Sequence, residues 1–188
     1  MIITLTLLTA EGKDKSTIVQ DLILDIAEGD QSAIGSLYDE IKTDVFAYAL
    51  SKVKNRFDAE DIMQDTFVNV YKYARQYVPK NKPMAWIITI EHNLIKRYFA
   101  LRNRTVQIDE KVMQMADDVS IEGVSVNNAY LKQLLSSLSE EEREIITLHV
   151  VSGLKHREIA MLTDKPLSTV LSQYNRAIKK LKQIEEGN

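Results

Sequence analysis

Basic and aromatic side chains are concentrated between residues 71 and 104 of this 188-residue chain. Eight lysines and arginines in this segment stand against a single acid, Glu91, so the segment carries +7 while the whole chain carries −3. Six of the thirteen aromatic residues also lie there. An unpaired nucleic-acid strand needs cations along its backbone and rings on which its bases stack, at about 1–3 kcal/mol per base. The segment therefore predicts single-strand binding, although a solvated basic face over an aromatic core would have the same composition.

A first helix is predicted to begin near Asp58, a suitable N-cap, and to present two different faces. Apolar residues recur at helical spacing on the face that we expect to be buried: Met63, Phe67, Val70, Tyr71 and Ala74. Acid and amide side chains lie on the opposite face: Asp61, Gln64 and Asp65. We expect this polar face to remain free for a partner.

A second helix is predicted after a basic break between Pro79 and Pro83, because proline does not continue a helix interior. The expected buried stripe of this helix contains Ile87, Ile90, Leu94, Tyr98 and Leu101. A polar and basic strip lies on another face: Thr89, Asn93, Lys96, Arg97, Ala100 and Arg104. The two helices thus offer separate surfaces to separate partners.

The C-terminal third of the chain has the pattern of a helix-turn-helix. Residues 105–130 carry a net charge of −4 and few large apolar groups, which is typical of a linker. A capping box at Ser139–Glu142 is expected to open a helix that stops at Gly153. A short helix, a turn at Asp164 and a final helix from about Leu167 follow. Such a second helix enters the DNA major groove.

The composition argues against several other classes of protein. The chain has no cysteine, and none of its three histidines has the spacing of a metal site. We therefore expect no metal, no cofactor and no enzymatic activity, and we expect His92 and His156 to have surface or capping roles. Residues 1–8 are apolar but too short to span a bilayer, and they lack signal-peptide flanks, so no membrane insertion is expected.

Two runs of residues resemble region two of the bacterial sigma-70 family. They are DAEDIMQDTF from Asp58 and, after the basic loop, WIITIEHN ending at Asn93. The short chain is similar to the extracytoplasmic function (ECF) group. The resemblance implies that Asp61, Gln64 and Asp65 bind the beta-prime clamp helices of core RNA polymerase. It also implies that the following residues bind the promoter −10 element: Lys80, Asn81, Lys82, Trp86, Asn93, Lys96 and Arg97. Glu91 departs from the usual small neutral residue, and we expect it to alter the local DNA contact.

The run EIAMLTDKPLSTVLSQYNRA from Glu158 resembles region four of the same family, which reads the −35 element beside the beta flap. The residues implied for −35 contact are Ser168, Thr169, Ser172, Gln173, Arg176 and Lys180. Leu171 and Gln173 stand where lysine or arginine is common. The loss of two cations removes up to two phosphate contacts, so we expect weak −35 binding, with Gln173 available for an adenine edge.

The sequence therefore predicts an all-α protein of two small helical domains joined by a flexible linker. The expected parts are an N-terminal tail (1–20), a region 2 domain (21–104), an acidic linker (105–130) and a region 4 domain (131–188). The predicted function is that of an ECF sigma factor, cytoplasmic, which binds core RNA polymerase and promoter DNA and is controlled by an anti-sigma factor. The alternative is a stand-alone helix-turn-helix regulator, which would have no use for the aromatic, basic segment or for the acidic face before it.

Overall fold

A computed structural model describes residues 14–80, 82–106 and 137–186 of the chain, and every regular element in these ranges is helical. The all-α prediction is therefore confirmed. The helices of the first part are α1 (Lys15–Glu28), α2 (Ser32–Val53), α3 (Arg56–Tyr73) and α4 (Pro83–Val106), with a single 3-10 turn (Ala74–Gln76) after α3. Those of the second part are α5 (Glu140–Ile146), α6 (His156–Thr163) and α7 (Leu167–Glu186), with a π-helical turn (Thr147–Val151) after α5.

Helices α1 to α4 form a bundle around one apolar cluster. Its large buried members come from all four helices: Val19, Ile23, Leu37, Ile41, Val45, Phe67, Val70 and Ile87. A turn follows α1 at Gly29, and the positive φ of this glycine (107°) lets its N–H return to the carbonyls of Asp25 and Ile26. None of the described helices is long and apolar enough to cross a bilayer.

The start of α3 differs from the prediction in its capping residue. Asn55, not Asp58, is the N-cap, and its side-chain oxygen accepts the backbone N–H of Asp58 at 3.1 Å. The Asp58 carboxylate instead accepts a hydrogen bond from the Tyr98 hydroxyl at 2.7 Å, which ties α3 to α4. The predicted stripe is buried except at Tyr71, which is 49% exposed. Sequence spacing placed Tyr71 at the edge of the stripe, where packing decides burial.

The buried face of α4 was predicted incorrectly. After Pro83, the buried residues of this helix are Ile87, Ile88, Glu91, His92 and Ile95. Of the predicted stripe, only Ile87 is fully buried; Ile90, Leu94 and Tyr98 are half-buried, and Leu101 is exposed. The face is rotated because α4 packs against the N-terminal bundle on one side and against the C-terminal helices on another.

Local capping signals in the C-terminal part are confirmed. Ser139 and Glu142 form the predicted capping box of α5, with each side chain bonded to the other's backbone N–H. Gly153 has a φ of 67°, and Asp164 ends α6 in the left-handed conformation (φ 55°, ψ 37°). Helix α7 begins at Leu167, as predicted.

The two groups of helices pack against each other through a shared apolar cluster. From the first group it contains Tyr48, Ala49, Val53, Ala59, Ile62, Ile88 and Ile95. From the second it contains Ile145, Leu148, Leu154, Ile159 and Val170. The predicted tail (1–20) extends too far, because α1 begins at Lys15 and Val19 lies in the core of the bundle. Residues 1–13 of that tail and 107–130 of the predicted linker (105–130) lie outside the described residues.

Candidate nucleic-acid interface

The outer face of α3 combines acids with exposed apolar groups. Asp61, Gln64 and Asp65 are all exposed and lie within about one helical turn of each other. Phe57 (75% exposed) and Val68 (63% exposed) extend the same face at both ends. The sequence reasoning missed these two residues. The signal was their helical spacing, because Phe57 lies four residues before Asp61 and Val68 lies seven residues after it. An exposed apolar rim around a charged centre is a surface suited to binding another protein.

One side of α4 borders an open cleft of about 460 Å³. Its lining contains three of the predicted −10 residues, Trp86, Asn93 and Arg97. The sequence reasoning missed the other polar and aromatic members, which come from α3 and the turn that follows it: Asn69, Tyr73 and Gln76. The Trp86 ring is held by Tyr77, whose ring centroid is 5.1 Å away. A fixed indole, a phenol, amides and a guanidinium around one cleft are groups that stack on a base and bind its edges.

The other side of α4 faces the C-terminal helices across a second cavity of about 380 Å³. From the predicted −10 set, this cavity is lined by Lys82, Asn93 and Lys96. Glu158 and Met161 of α6 line its opposite wall. The predicted −10 residues therefore divide between two sides of α4, and Asn93 borders both. Lys80 is exposed, whereas Asn81 lies outside the described residues.

Glu91 and His92 are both buried, so the surface or capping role predicted for His92 was wrong. The predicted effect of Glu91 on the local DNA contact stays a prediction. Glu91 is 0% exposed, and neither carboxylate oxygen has a hydrogen-bond partner among the described residues. Burial raises the pKa of Glu91 well above the usual range of a glutamate. Such a group cannot contact DNA directly. His92 is also buried, and burial lowers its pKa.

His92 is part of a polar network between the two groups of helices. Its Nδ1 lies 2.7 Å from the hydroxyl oxygen of Tyr48, and that hydroxyl donates a long hydrogen bond of 3.5 Å to Glu144. Burial raises the pKa of Tyr48, so the phenol keeps its proton. Lys52 pairs with the same Glu144 carboxylate at 3.2 Å. The network therefore joins α2 and α4 to α5.

The predicted −35 residues on α7 differ in their accessibility. Ser168, Ser172 and Arg176 are exposed, and Thr169 is half-buried. The amide oxygen of Gln173 is buried, so the prediction that this side chain is freely available for an adenine edge was wrong. Lys180 is half-buried and donates to Glu142 at 2.7 Å, which binds α7 to α5.

The half-buried ring of His156 packs against two other rings of the C-terminal group. Its ring centroid lies 4.3 Å from that of His149 and 4.6 Å from that of Tyr174. Burial lowers the pKa of His156. His156 is the first residue of α6, and its ring packs against Tyr174 of α7. The observed role of this side chain is therefore packing, instead of the expected surface or capping role.

Comparisons with known proteins agree with this geometry. The family model described as Sigma-70 region 2 matches residues 37–105, and the one described as Sigma-70, region 4 matches residues 128–181. The ECF RNA polymerase sigma factor BldN of Streptomyces coelicolor is 24% identical over 90% of this chain, which spans 66% of that relative. The ECF sigma factor SigK of a Mycobacterium species is 26% identical, with 89% of this chain and 90% of the relative covered.

A solved structure shares the fold. The sigma factor RpoE of Bartonella quintana, solved with the anti-sigma factor NepR, superposes with a TM-score of 0.62 over 80% of this chain and 97% of that one, at 24% identity. The two family models together span more than half of the chain, and they occur in the order in which the two helical groups follow each other. The chain therefore belongs to the sigma-70 family of RNA polymerase sigma factors, in the extracytoplasmic function group.

Proposed function

We propose that this sigma factor binds core RNA polymerase through α3, holds the −10 strand beside α4 and contacts −35 DNA through α7. The observation that carries the proposal is the separation of the first two surfaces. The exposed acids of α3 lie on its outer face, whereas the cleft with Trp86, Asn93 and Arg97 lies between α3 and α4. One domain can thus bind a protein and a DNA strand at the same time.

The −10 step uses the cations and rings around α4. Lys80 and Lys82 lie in the loop that precedes α4, and Trp86 offers an indole face within the cleft. Cations draw in the strand, and stacking on a ring compensates for the stacking that a base loses when the duplex opens. The chain supplies positioning and melting, while nucleotide addition belongs to the polymerase. We place the protein in the cytoplasm because core polymerase works there.

The −35 step uses the outer face of α7. Ser168, Ser172 and Arg176 are its exposed candidates, and one cation among them provides limited phosphate contact. Lys180 adds little because Glu142 already holds it. We therefore propose that −35 binding is weak without polymerase. The relative from Bartonella quintana was solved with an anti-sigma factor, and we propose that a protein of this kind also controls the present chain.

The docking assignment is tested by reversing the charge of two acids on α3. Asp61→Lys with Asp65→Lys should weaken association with core polymerase by more than about tenfold, since opposed charges are replaced by like charges at the contact. Asp25→Lys with Asp39→Lys is the matched control, because both acids are exposed on other helices and the change in net charge is the same. Association is measured by native gel shift and gel filtration with purified core enzyme. Normal assembly by the α3 variant would refute the assignment.

A further inference from the structure

We propose that the hydroxyl of Tyr98 is a positioning group for capture of the −10 strand: it ties the DNA-facing end of α4 to the first turn of the polymerase-binding helix α3. This inference rests on the proposed function of the two helices and adds a residue to it. Tyr98 itself is not assigned to DNA or to polymerase. It acts through Lys96 and Arg97, which precede it on α4.

Three side chains form this tie, and we call them the α3–α4 clasp. The hydroxyl of Tyr98 donates to the carboxylate of Asp58 at 2.7 Å. The same hydroxyl oxygen accepts an N–H of Arg102 at 2.7 Å, and the guanidinium carbon of Arg102 lies 6.0 Å from the centroid of the phenol ring. Burial and the hydrogen bond to Asp58 raise the pKa of Tyr98, so the phenol keeps the proton that it donates. The orientation of the hydroxyl is therefore set from both sides.

The packing of α4 shows why this part of the helix needs a tie. Ile95 is buried, but from Lys96 to Arg102 every residue is exposed except Tyr98, which is half-buried. Burial of apolar side chains therefore fixes α4 as far as Ile95 and does much less beyond it. The clasp holds the stretch that apolar packing leaves loosely fixed.

The position of Asp58 connects the clasp with the polymerase-binding face. Asp58 lies in the first turn of α3, three residues before Asp61. The side-chain oxygen of Asn55 accepts the backbone N–H of Asp58 at 3.1 Å, so the backbone that carries the carboxylate is itself held. Residues three apart on a helix are neighbours on its surface. A polymerase that binds Asp61 therefore also fixes the helical turn from which the clasp starts.

The position of Tyr98 connects the clasp with the DNA-binding residues. Tyr98 directly follows Arg97, which lines the cleft between α3 and α4 together with Asn93. Because the hydroxyl holds its own turn of α4 against α3, the side chain of Arg97 starts from a fixed backbone position. Groups that are held in place before a ligand arrives lose less entropy when it binds. Without the clasp, we expect a docked holoenzyme to capture the strand more slowly.

The experiment compares Tyr98→Phe with Tyr38→Phe in the full-length chain assembled with core polymerase. Phenylalanine keeps the ring and removes only the hydroxyl, and Tyr38 lies on α2, outside the proposed binding surfaces. The template is a promoter selected from a random-sequence library by transcription with the wild-type holoenzyme. The dissociation constant for core polymerase is measured by native gel shift. The rate of promoter melting is measured separately, by permanganate footprinting at saturating core polymerase.

We expect Tyr98→Phe to bind core polymerase as tightly as the wild type and to melt the promoter about tenfold more slowly, the effect of one lost hydrogen bond to a charged group. Tyr38→Phe should match the wild type in both measurements. Ser139→Ala controls for lower stability alone, because it removes the cap of α5 and leaves the clasp intact. It should also melt the promoter at the wild-type rate. Unchanged melting by Tyr98→Phe, or equal slowing by Ser139→Ala, would overturn the proposal.

Asp58→Ala tests the other end of the clasp and carries the test if Tyr98→Phe fails to fold. Removal of an acid alone would favour DNA binding, so slower melting by this variant is assigned to the lost hydrogen bond. When Asp58→Ala and Tyr98→Phe are combined, the loss should be no larger than that of one substitution, because either one breaks the same bond. Multiplied losses in the double variant would mean that the two residues act independently and would overturn the clasp.

The outcomes also separate this inference from the proposed function. A wild-type holoenzyme that melts the promoter, with Tyr98→Phe and Asp58→Ala equal to it, would overturn the clasp alone. Folded wild-type protein that binds neither core polymerase nor promoter DNA would overturn the proposed function of α3 and α4.

Discussion

Replacing Glu91 by glutamine should remove a pH dependence from the folding stability of this protein. Glu91 has no exposed surface, and both of its carboxylate oxygens are buried without a partner in the described ranges. Burial disfavours the charged form and raises the pKa of this carboxyl well above its usual range. Glutamine has nearly the same shape and does not ionise.

The sign and size of the effect follow from proton linkage. In the unfolded chain the pKa of a glutamate is about 4.3, so above this pH the unfolded state loses a proton that the folded state keeps. The free energy of unfolding therefore decreases as the pH rises, by about 1.4 kcal/mol for each pH unit over which Glu91 stays protonated in the fold. The stabilisation from protonated Glu91 is fully present below the pKa that this residue has in the unfolded chain. It is lost as the pH rises to the pKa that the residue has in the folded protein.

His92, the next residue, acts in the opposite direction. Burial lowers its pKa, so below about pH 6.5 the unfolded chain binds a proton that the folded chain does not. In the wild type, the dependence of the free energy of unfolding on pH is thus the sum of two opposed contributions. The difference between the wild type and Glu91→Gln isolates the glutamate, because His92 is present in both proteins.

Urea unfolding followed by circular dichroism at about pH 5, 6 and 7 measures this difference. The stability of Glu91→Gln relative to the wild type should rise with pH, by up to about 1.4 kcal/mol per pH unit where Glu91 stays protonated in the folded protein. Glu28→Gln, an exposed residue of α1, controls for the loss of one carboxyl group. A constant difference between Glu91→Gln and the wild type at all three pH values would refute the reasoning, because it would mean that Glu91 is ionised in the folded protein.

Three further outcomes are expected. Asn93→Ala with Lys96→Ala should leave association with core polymerase intact and reduce open-complex formation, as measured by permanganate footprinting; normal melting would refute the role of these residues. Ser139→Ala should lower the free energy of unfolding by about 1 kcal/mol in urea titration, because it removes one half of the capping box of α5. Asp164→Val should cost about 1–2 kcal/mol in the same assay, since a β-branched residue does not accept a φ of 55°, whereas Asp164→Asn should cost little.

Features set by neighbouring residues were predicted well from the sequence. The capping box at Ser139, the left-handed turn at Asp164 and the stop at Gly153 all depend on the chemistry of four to six consecutive residues. The exposed acids of α3 were found for the same reason, since one helix fixes which of its own side chains share a face. Their roles in binding stay predictions.

Features set by distant parts of the chain were predicted poorly. The buried face of α4 was wrong because Ile88 and Ile95 meet Leu148 and Leu154, which lie more than fifty residues away. The ion pair of Lys180 was missed because its partner, Glu142, is 38 residues distant in the chain. A periodicity argument places residues on faces of a helix, but it does not say how many neighbours that helix has.

The distribution of apolar residues explains why the two helical groups pack against each other. Among the described residues, the cluster internal to the C-terminal group has three buried members, Leu138, Ile146 and Ala177. Most of the other buried apolar residues of this group belong to the cluster shared with α2, α3 and α4. Undocking therefore exposes apolar surface on both sides, at about 25 cal/mol for each Å² that returns to water.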